Sequence, residues 1–180
     1  MNFFKDYFTL LSDKLNEIDV SLLDSAAEMI KQASSKGKKT IIVGNGGSAA
    51  MASHVAVDLT KNAGIRSINF NEADLLTCFA NDYGYENWVA QSIKFYADPG
   101  DLLILISSSG SSKNIINGAL VAKEMGLNLI TLSGFRPDNP LRQMGEINFY
   151  ADSKGYNIVE MAHHIWLVAI VDRIIGKIEY

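Results

Sequence analysis

The pattern of apolar and polar residues divides the chain into a helical N-terminal segment and a longer segment in which strands and helices alternate. From Phe4 to Ala33 the apolar residues recur every three or four positions, which predicts two helices. Asp19 or Ser21 can separate them, because either side chain can accept hydrogen bonds from the free N–H groups at a helix start. Beyond these helices, short apolar runs alternate with amphipathic stretches.

The short apolar runs are nearly continuous, as expected for strands that are buried on both faces of a parallel sheet. Strands that alternate with helices through short connections are typical of a doubly wound α/β sandwich. We expect one domain over residues 1–180, with N-terminal helices in 1–36 and an α/β core in 37–180. The predicted strands are 39–43, 66–70, 102–106, 128–132 and 147–151, and the predicted core helices are 47–61, 72–80, 85–96, 112–125 and 157–177.

Composition narrows the class of protein. A chain of 180 residues can bury a proper core without disulfides, and Cys78, the only cysteine, fits a reducing compartment. A net charge of −4 disfavours direct nucleic-acid binding. No apolar run reaches about 18 residues, which predicts no membrane span. The N-terminus carries Lys5 and Asp6 and lacks a small-residue cleavage site, so we expect no signal peptide and a soluble, cytoplasmic protein.

Two loops of small residues each stand between a predicted strand and a predicted helix. Gly44–Ser48 follows the strand at 39–43, and Ser107–Ser112 follows the strand at 102–106. A helix N-terminus offers free N–H groups and the positive end of the helix dipole, and glycine lets that backbone approach a ligand closely. Serine hydroxyls add further donors. Both loops leave the carboxyl ends of strands, so they can share one cleft, which favours an anionic, hydroxyl-rich ligand.

Neither loop fits the common nucleotide-binding motifs. The Walker A motif requires a Lys after its second glycine, and no Lys stands at that place. The dinucleotide fingerprint requires G-x-G-x-x-G, whereas Gly44–Ala49 lacks the last glycine. Glu72, the nearest acidic residue at a later strand end, fits better as an acid at a helix N-terminus. Nucleotide binding is therefore disfavoured.

Three segments together carry a resemblance to a known family. They are Gly44–Ala50, Ala80–Tyr85 and Ile106–Ser112, and the two N-terminal helices fit as well. The chain resembles the sugar isomerase (SIS) domain family and, within it, the phosphoheptose (sedoheptulose-7-phosphate) isomerases. The resemblance covers nearly the whole chain. It implies a five-stranded parallel sheet, a homotetramer, and a phosphosugar site at the interface between subunits.

The resemblance also assigns roles to the two loops. It implies that the serine loop holds the phosphate and that the first loop, with an aspartate further on, lines the sugar. The residues that it implies for substrate binding are Asn45, Gly46, Gly47, Ser48, Asp82, Ser107, Ser108, Ser109 and Ser112.

The helix after the first loop departs from the family pattern. The family has a His and, four residues on, a Glu; here His54 matches the His, but Asp58 replaces the Glu. Residues at i and i+4 share a helical face, so this pair suits either a shared metal, zinc with a third ligand from the last helix, or proton transfer. The shorter Asp side chain would place its carboxylate about 1 Å short. The structural alternatives are helix-face packing or an interface hydrogen bond for His54 and a solvated helix face for Asp58.

The last helix departs further. The family has a Gln and, eight residues on, a catalytic His, and these positions are Val159 and Leu167 here. Tyr156 replaces an acidic residue before that helix. His163 lies between the two positions on the same face, so it is a candidate for a relocated base about 6 Å along the helix.

Two alternatives for the last helix remain open. If the helix is rotated relative to this interpretation, Glu160 and His164 form the working pair at i and i+4. Alternatively, the two adjacent histidines belong to an interface between subunits.

The leading hypothesis is an aldose–ketose isomerase that acts on sedoheptulose-7-phosphate or a related ketose phosphate. Such a reaction moves a proton between C1 and C2 through an enediol. The proton-transfer candidates are Asp58, His163 and His164, and the metal candidates are His54 and Asp58. The alternative is a non-catalytic phosphosugar sensor or adaptor, which the absent Gln and His favour.

Overall fold

A computed structural model describes residues 2–179 and contains a parallel sheet with helices on both faces. The strands are β1 (Thr40–Val43), β2 (Ser67–Ile68), β3 (Leu102–Ser107), β4 (Asn128–Gly134) and β5 (Ile147–Ala151). The helices are α1 (Phe3–Asn16), α2 (Val20–Ser35), α3 (Gly47–Lys61), α4 (Ala73–Tyr83), α5 (Trp88–Tyr96), α6 (Lys113–Glu124) and α7 (Tyr156–Ile175), with a 3₁₀ turn at Leu141–Gln143.

The five strands run in the order β2-β1-β3-β4-β5, and every neighbouring pair is parallel. The chain starts in β1, adds β2 on one side and then crosses to β3 on the other side. The order therefore reverses between β1 and β3, where ligands bind in doubly wound sheets. The predicted α/β class and five-stranded parallel sheet are confirmed.

Two apolar layers sandwich the sheet, because β1, β3 and most of β4 are buried on both faces. One layer packs α2, α3 and α7 against the sheet, and the other packs α5 and α6 against it. Successive residues of a strand point to opposite faces of the sheet. Ile41 and Val43 therefore pack in the layer with α5 and α6, and Ile42 packs in the layer with α2, α3 and α7.

The N-terminal helices pack onto α7. Asp19 is the N-cap of α2 and accepts the Ser21 N–H at 2.9 Å, so Asp19 rather than Ser21 starts this helix. The indole N–H of Trp166 on α7 donates to the Leu15 carbonyl at 3.4 Å. No residue of α1 is buried, whereas α2 buries three alanines and Ile30.

Among residues 2–179, none of the helices has both the length and the apolar character that a membrane crossing requires.

Candidate functional site

The two small-residue loops meet at the switch point, where they leave the adjacent strands β1 and β3. Between them lies a cavity of about 120 Å³. Most of its lining is polar, with hydroxyls from both loops and two side chains from α7. The lining residues are Asn45, Ser48, Ile106, Ser107, Ser108, Ser109, Ser112, Tyr156 and Glu160.

Asn45 connects the first loop to the start of α6. Its amide N–H donates to Asn114 Oδ1 at 3.0 Å, and the Asn114 amide donates back to Asn45 Oδ1 at 2.8 Å. The Tyr85 hydroxyl also donates to Asn45 Oδ1, at 3.3 Å. Asn114 is buried, so the pair fixes the two loops relative to each other. One N–H of Asn45 remains for a ligand oxygen.

The serine loop lies at the N-terminus of α6, with Ser112 as the N-cap residue. Ser107 Oγ donates to Ser112 Oγ at 3.2 Å, and Ser109 Oγ accepts the Ser111 N–H at 3.2 Å. The first N–H groups of a helix have no partner inside it and attract anions. The loop therefore combines hydroxyl and backbone donors in the way that a phosphate group requires.

Gly110 holds the serine loop against the segment that follows β4. Its φ is +63°, and a Cβ at this position would overlap the side-chain amide of Asn139. The Gly110 carbonyl accepts the Leu141 N–H at 3.1 Å. Asn139 is buried, donating to Ser133 Oγ at 3.1 Å and accepting the Arg142 N–H at 3.0 Å. The 133–142 segment thus holds the serine loop in place.

Helix α7 presents Tyr156 and Glu160 to the cavity. Ser108 Oγ donates to Glu160 Oε1 at 3.5 Å, and the Tyr156 ring packs edge-on against Phe135 with centroids 4.7 Å apart. Tyr156 was not among the predicted site residues, and Glu160 was predicted only as the alternative partner of His164. Their i, i+4 spacing, continued by His164, was the signal that could have identified this face.

His163 lies on the opposite, buried face of α7, with Val159 and Leu167. It has no exposed surface; its Nε2 lies 2.9 Å from the Ser133 carbonyl, and within residues 2–179 its Nδ1 has no partner. Burial lowers the pKa of His163 to about 4, so the imidazole is neutral. A substrate cannot reach it. The prediction that His163 is a relocated base is therefore wrong, because the helix turns that face into the core.

His54, Asp58 and His164 form one cluster between α3 and α7. His54 Nε2 lies 3.2 Å from Asp58 Oδ2, and His54 Nδ1 lies 2.9 Å from His164 Nε2. Burial, with the nearby His54, lowers the pKa of His164, while Asp58 opposes that shift. The structure brings together three residues that the sequence analysis singled out.

This cluster does not have the arrangement of a zinc site. The two ring nitrogens of His54 face different partners, so the donors of the three residues do not point to one position. Among residues 2–179 there is no group of three or more His, Cys, Asp or Glu side chains that could hold a metal ion.

Three predicted site residues, Gly46, Gly47 and Asp82, are not among the described residues that line the cavity. Gly46 is the N-cap of α3, and Gly47 is its first residue. Asp82 lies near the end of α4, where its carboxylate accepts the Asn81 amide at 2.9 Å. Asp82 is not among the described residues that line the cavity.

Residues 3–134 match the SIS domain family. With the doubly wound fold and the loop pair at its switch point, this shows that the chain belongs to the SIS domain family. Curated relatives place it in the phosphoheptose isomerase-like subgroup.

A phosphoheptose isomerase of Aliarcobacter butzleri is 34% identical over 147 residues, covering 78% of this chain and 77% of that protein. A phosphoheptose isomerase of Geotalea daltonii is 39% identical over 116 residues, covering 61% of this chain. The match spans 60% of the length of the Geotalea protein. The structure of a phosphoheptose isomerase from Neisseria gonorrhoeae superposes with a TM-score of 0.84 at 26% identity, covering 91% of this chain and 90% of that one.

Proposed function

We propose that this protein interconverts the aldose and ketose forms of a phosphorylated sugar, sedoheptulose-7-phosphate or a related ketose phosphate. The observation that carries the proposal is the polar cavity at the switch point, with a serine-rich helix N-terminus at one side and a carboxylate at the other. The similarity to phosphoheptose isomerases supports the same substrate class.

The serine loop binds the phosphate group in this proposal. The hydroxyls of Ser107, Ser108, Ser109 and Ser112 and the first N–H groups of α6 supply the donors. The first loop contacts the sugar hydroxyls, through the remaining N–H of Asn45 and the hydroxyl of Ser48. Gly46 and Gly47 keep the backbone close to the ligand, and Asp82 is proposed to reach the sugar from α4.

The chemistry requires two kinds of proton transfer. One group must move a proton between C1 and C2, and another must move the hydroxyl proton between O1 and O2 as the enediol forms and collapses. We assign the hydroxyl proton to His164, which does not line the cavity of the single chain but shares a helical face with Glu160, one turn further along α7. His54 orients its imidazole through the contact between the two rings, and Asp58 in turn contacts the other ring nitrogen of His54.

We further propose that the active protein is a homotetramer with its site at a subunit interface. The cavity of one chain is small for a seven-carbon sugar phosphate. Large aromatic side chains on α1 are also exposed in the single chain, which is typical of a surface that another subunit covers.

The test is proton exchange in heavy water with a panel of pentulose, hexulose and heptulose phosphates, followed by NMR. We expect deuterium at C1 or C2 of one member of the panel, and none with the same sugars lacking phosphate. Binding of a phosphosugar by calorimetry without any exchange would instead support a non-catalytic sensor. The buried positions of Val159 and Leu167, where the family pattern has Gln and His, are the observation that favours that second function.

A further inference from the structure

We propose that Glu160 is the catalytic residue that carries the carbon-bound proton, and that residue 47 is glycine because this carboxylate occupies the space beside it. The inference rests on the proposed isomerase function.

The position of Glu160 is the first argument. It is the only carboxylate or imidazole among the described residues that line the cavity. It is half-buried, and its Oε1 accepts the Ser108 hydroxyl at 3.5 Å, so it faces the loop proposed to bind the phosphate. A base for C1 or C2 must be within hydrogen-bond reach of the substrate, and among the described residues that line the cavity Glu160 is the one whose side chain can act as a base.

The charge around Glu160 is the second argument. None of the ion pairs among residues 2–179 involves Glu160. Its carboxylate lies instead against Gly47, the first residue of α3, where the positive end of the helix dipole stabilises a negative charge. The N-terminus of α6 remains available for the phosphate. In this proposal the Glu160 carboxylate therefore lies at the N-terminus of α3, and the substrate phosphate lies at the N-terminus of α6.

The space at Gly47 is the third argument. A Cβ added to this residue would overlap Glu160 Oε2 and would lie 2.9 Å from Glu160 Cδ. Any side chain at position 47 must therefore displace the carboxylate. The φ of Gly47 is not positive, so the backbone conformation does not require a glycine at this position.

The proposed step is balanced for protons and electrons. For a ketose phosphate, the Glu160 carboxylate takes a proton from C1, and the electron pair of that C–H bond forms the C1–C2 double bond. The carbonyl π pair moves to O2, and O2 takes a proton from His164, the residue proposed above to carry the hydroxyl proton. In the collapse, O1 returns a proton to that group, the C1–O1 double bond forms, and C2 takes the proton from Glu160.

Glu160→Gln is the direct test, because it keeps the size and hydrogen bonding of the side chain and removes the base. We expect deuterium exchange with the active phosphosugar to fall at least about 100-fold, the usual contribution of a general base. Phosphosugar affinity by calorimetry should stay within a few-fold or improve, because a negative charge near the phosphate is removed. Glu124→Gln, an exposed carboxylate at the far end of α6, is the matched control and should exchange at the wild-type rate.

Gly47→Ala tests the spatial argument. It should lower exchange by displacing the carboxylate, and it should have no added effect in a Glu160→Ala background, where nothing remains to be displaced.

Each result separates the two proposals. Exchange by Glu160→Gln within ten-fold of wild type overturns the role of Glu160 and leaves the isomerase function intact. Loss of phosphosugar binding together with exchange in that variant also overturns it, because Glu160 would then be a binding residue. Phosphosugar binding with no exchange by the wild-type protein overturns both proposals. Equal effects of Gly47→Ala with and without Glu160 overturn the explanation of the glycine.

Discussion

At the scale of single residues, the two adjacent histidines of α7 show how much one step along a helix changes. His164 faces the polar cluster with His54, whereas His163 is buried against Ser133 and Trp166. A helix turns by about 100° per residue, so neighbours in sequence face different surroundings. The histidine with a chemical role in our proposal is therefore the one that contacts other polar side chains.

Buried His163 predicts a particular dependence of stability on pH. Its pKa falls from 6.5 to about 4 on folding, so below pH 6.5 the unfolded chain binds a proton that the folded chain does not. Stability should fall as the pH is lowered from 6.5 to 4 and this contribution should level off below 4, with a total of about 3 kcal/mol from this residue.

The measurement is urea unfolding at pH 7.5, 6, 5 and 4 for wild type and His163→Gln. Glutamine keeps a donor for the Ser133 carbonyl but does not titrate in this range. The carboxylates titrate in both proteins, so their effect cancels in the difference. Parallel stability profiles for the two proteins would contradict the prediction.

At the scale of elements, the serine loop depends on a close contact with the segment after β4. Gly110→Ala should weaken phosphosugar binding at least ten-fold, because the new methyl group overlaps Asn139 and the loop must move. Gly126→Ala is the matched control. Its φ of +68° imposes a similar backbone strain, but nothing lies within 4 Å of the added Cβ.

Calorimetry with the phosphosugar, alongside melting temperatures, distinguishes the two variants. Both should lose some stability, but only Gly110→Ala should lose affinity. Equal affinity for the two variants would show that the contact with Asn139 does not set the geometry of the serine loop.

Most elements could be predicted because their apolar patterns are strong. The runs at 39–43 and 102–106 became β1 and β3 nearly residue for residue, since only strands buried on both faces have that composition. The loop pair could also be predicted, because two small-residue loops follow two buried strands in one small domain.

The orientation of α7 could not be predicted in the same way. This helix is apolar almost all round, with Val159 and Leu167 on one side and Ile165 and Met161 on others. Its periodicity therefore indicates no single buried face. Only the packing of α2, α3 and the sheet decides that Glu160 lines the cavity and His164 contacts His54, whereas His163 is buried.

At the scale of the whole molecule, the outer surface of α1 indicates assembly. Phe3, Phe4 and Phe8 are 73%, 69% and 63% exposed in the single chain. The three rings lie within two helical turns, so they form one apolar surface rather than scattered residues. This surface supports the proposed tetramer.

Sedimentation velocity at micromolar concentration tests this proposal. The wild-type protein should sediment as a tetramer, and Phe4→Ser with Phe8→Ser should shift it to smaller species. Phe95→Ser, a comparably exposed phenylalanine on α5, serves as the control and should leave the assembly unchanged. A wild-type monomer would contradict both the tetramer and a site shared between subunits.

The buried places of Val159 and Leu167 also constrain how this chain can change during evolution. Gln at position 159 and His at position 167 would bury an amide and an imidazole in the apolar layer, each costing about 1–3 kcal/mol if unpaired. Neither would reach the cavity, which α7 faces through Tyr156 and Glu160. Introducing these two residues would therefore destabilise the protein without placing either side chain at the cavity. Substitutions that change substrate preference are expected instead on the face of α7 that lines the cavity, the face of Tyr156 and Glu160.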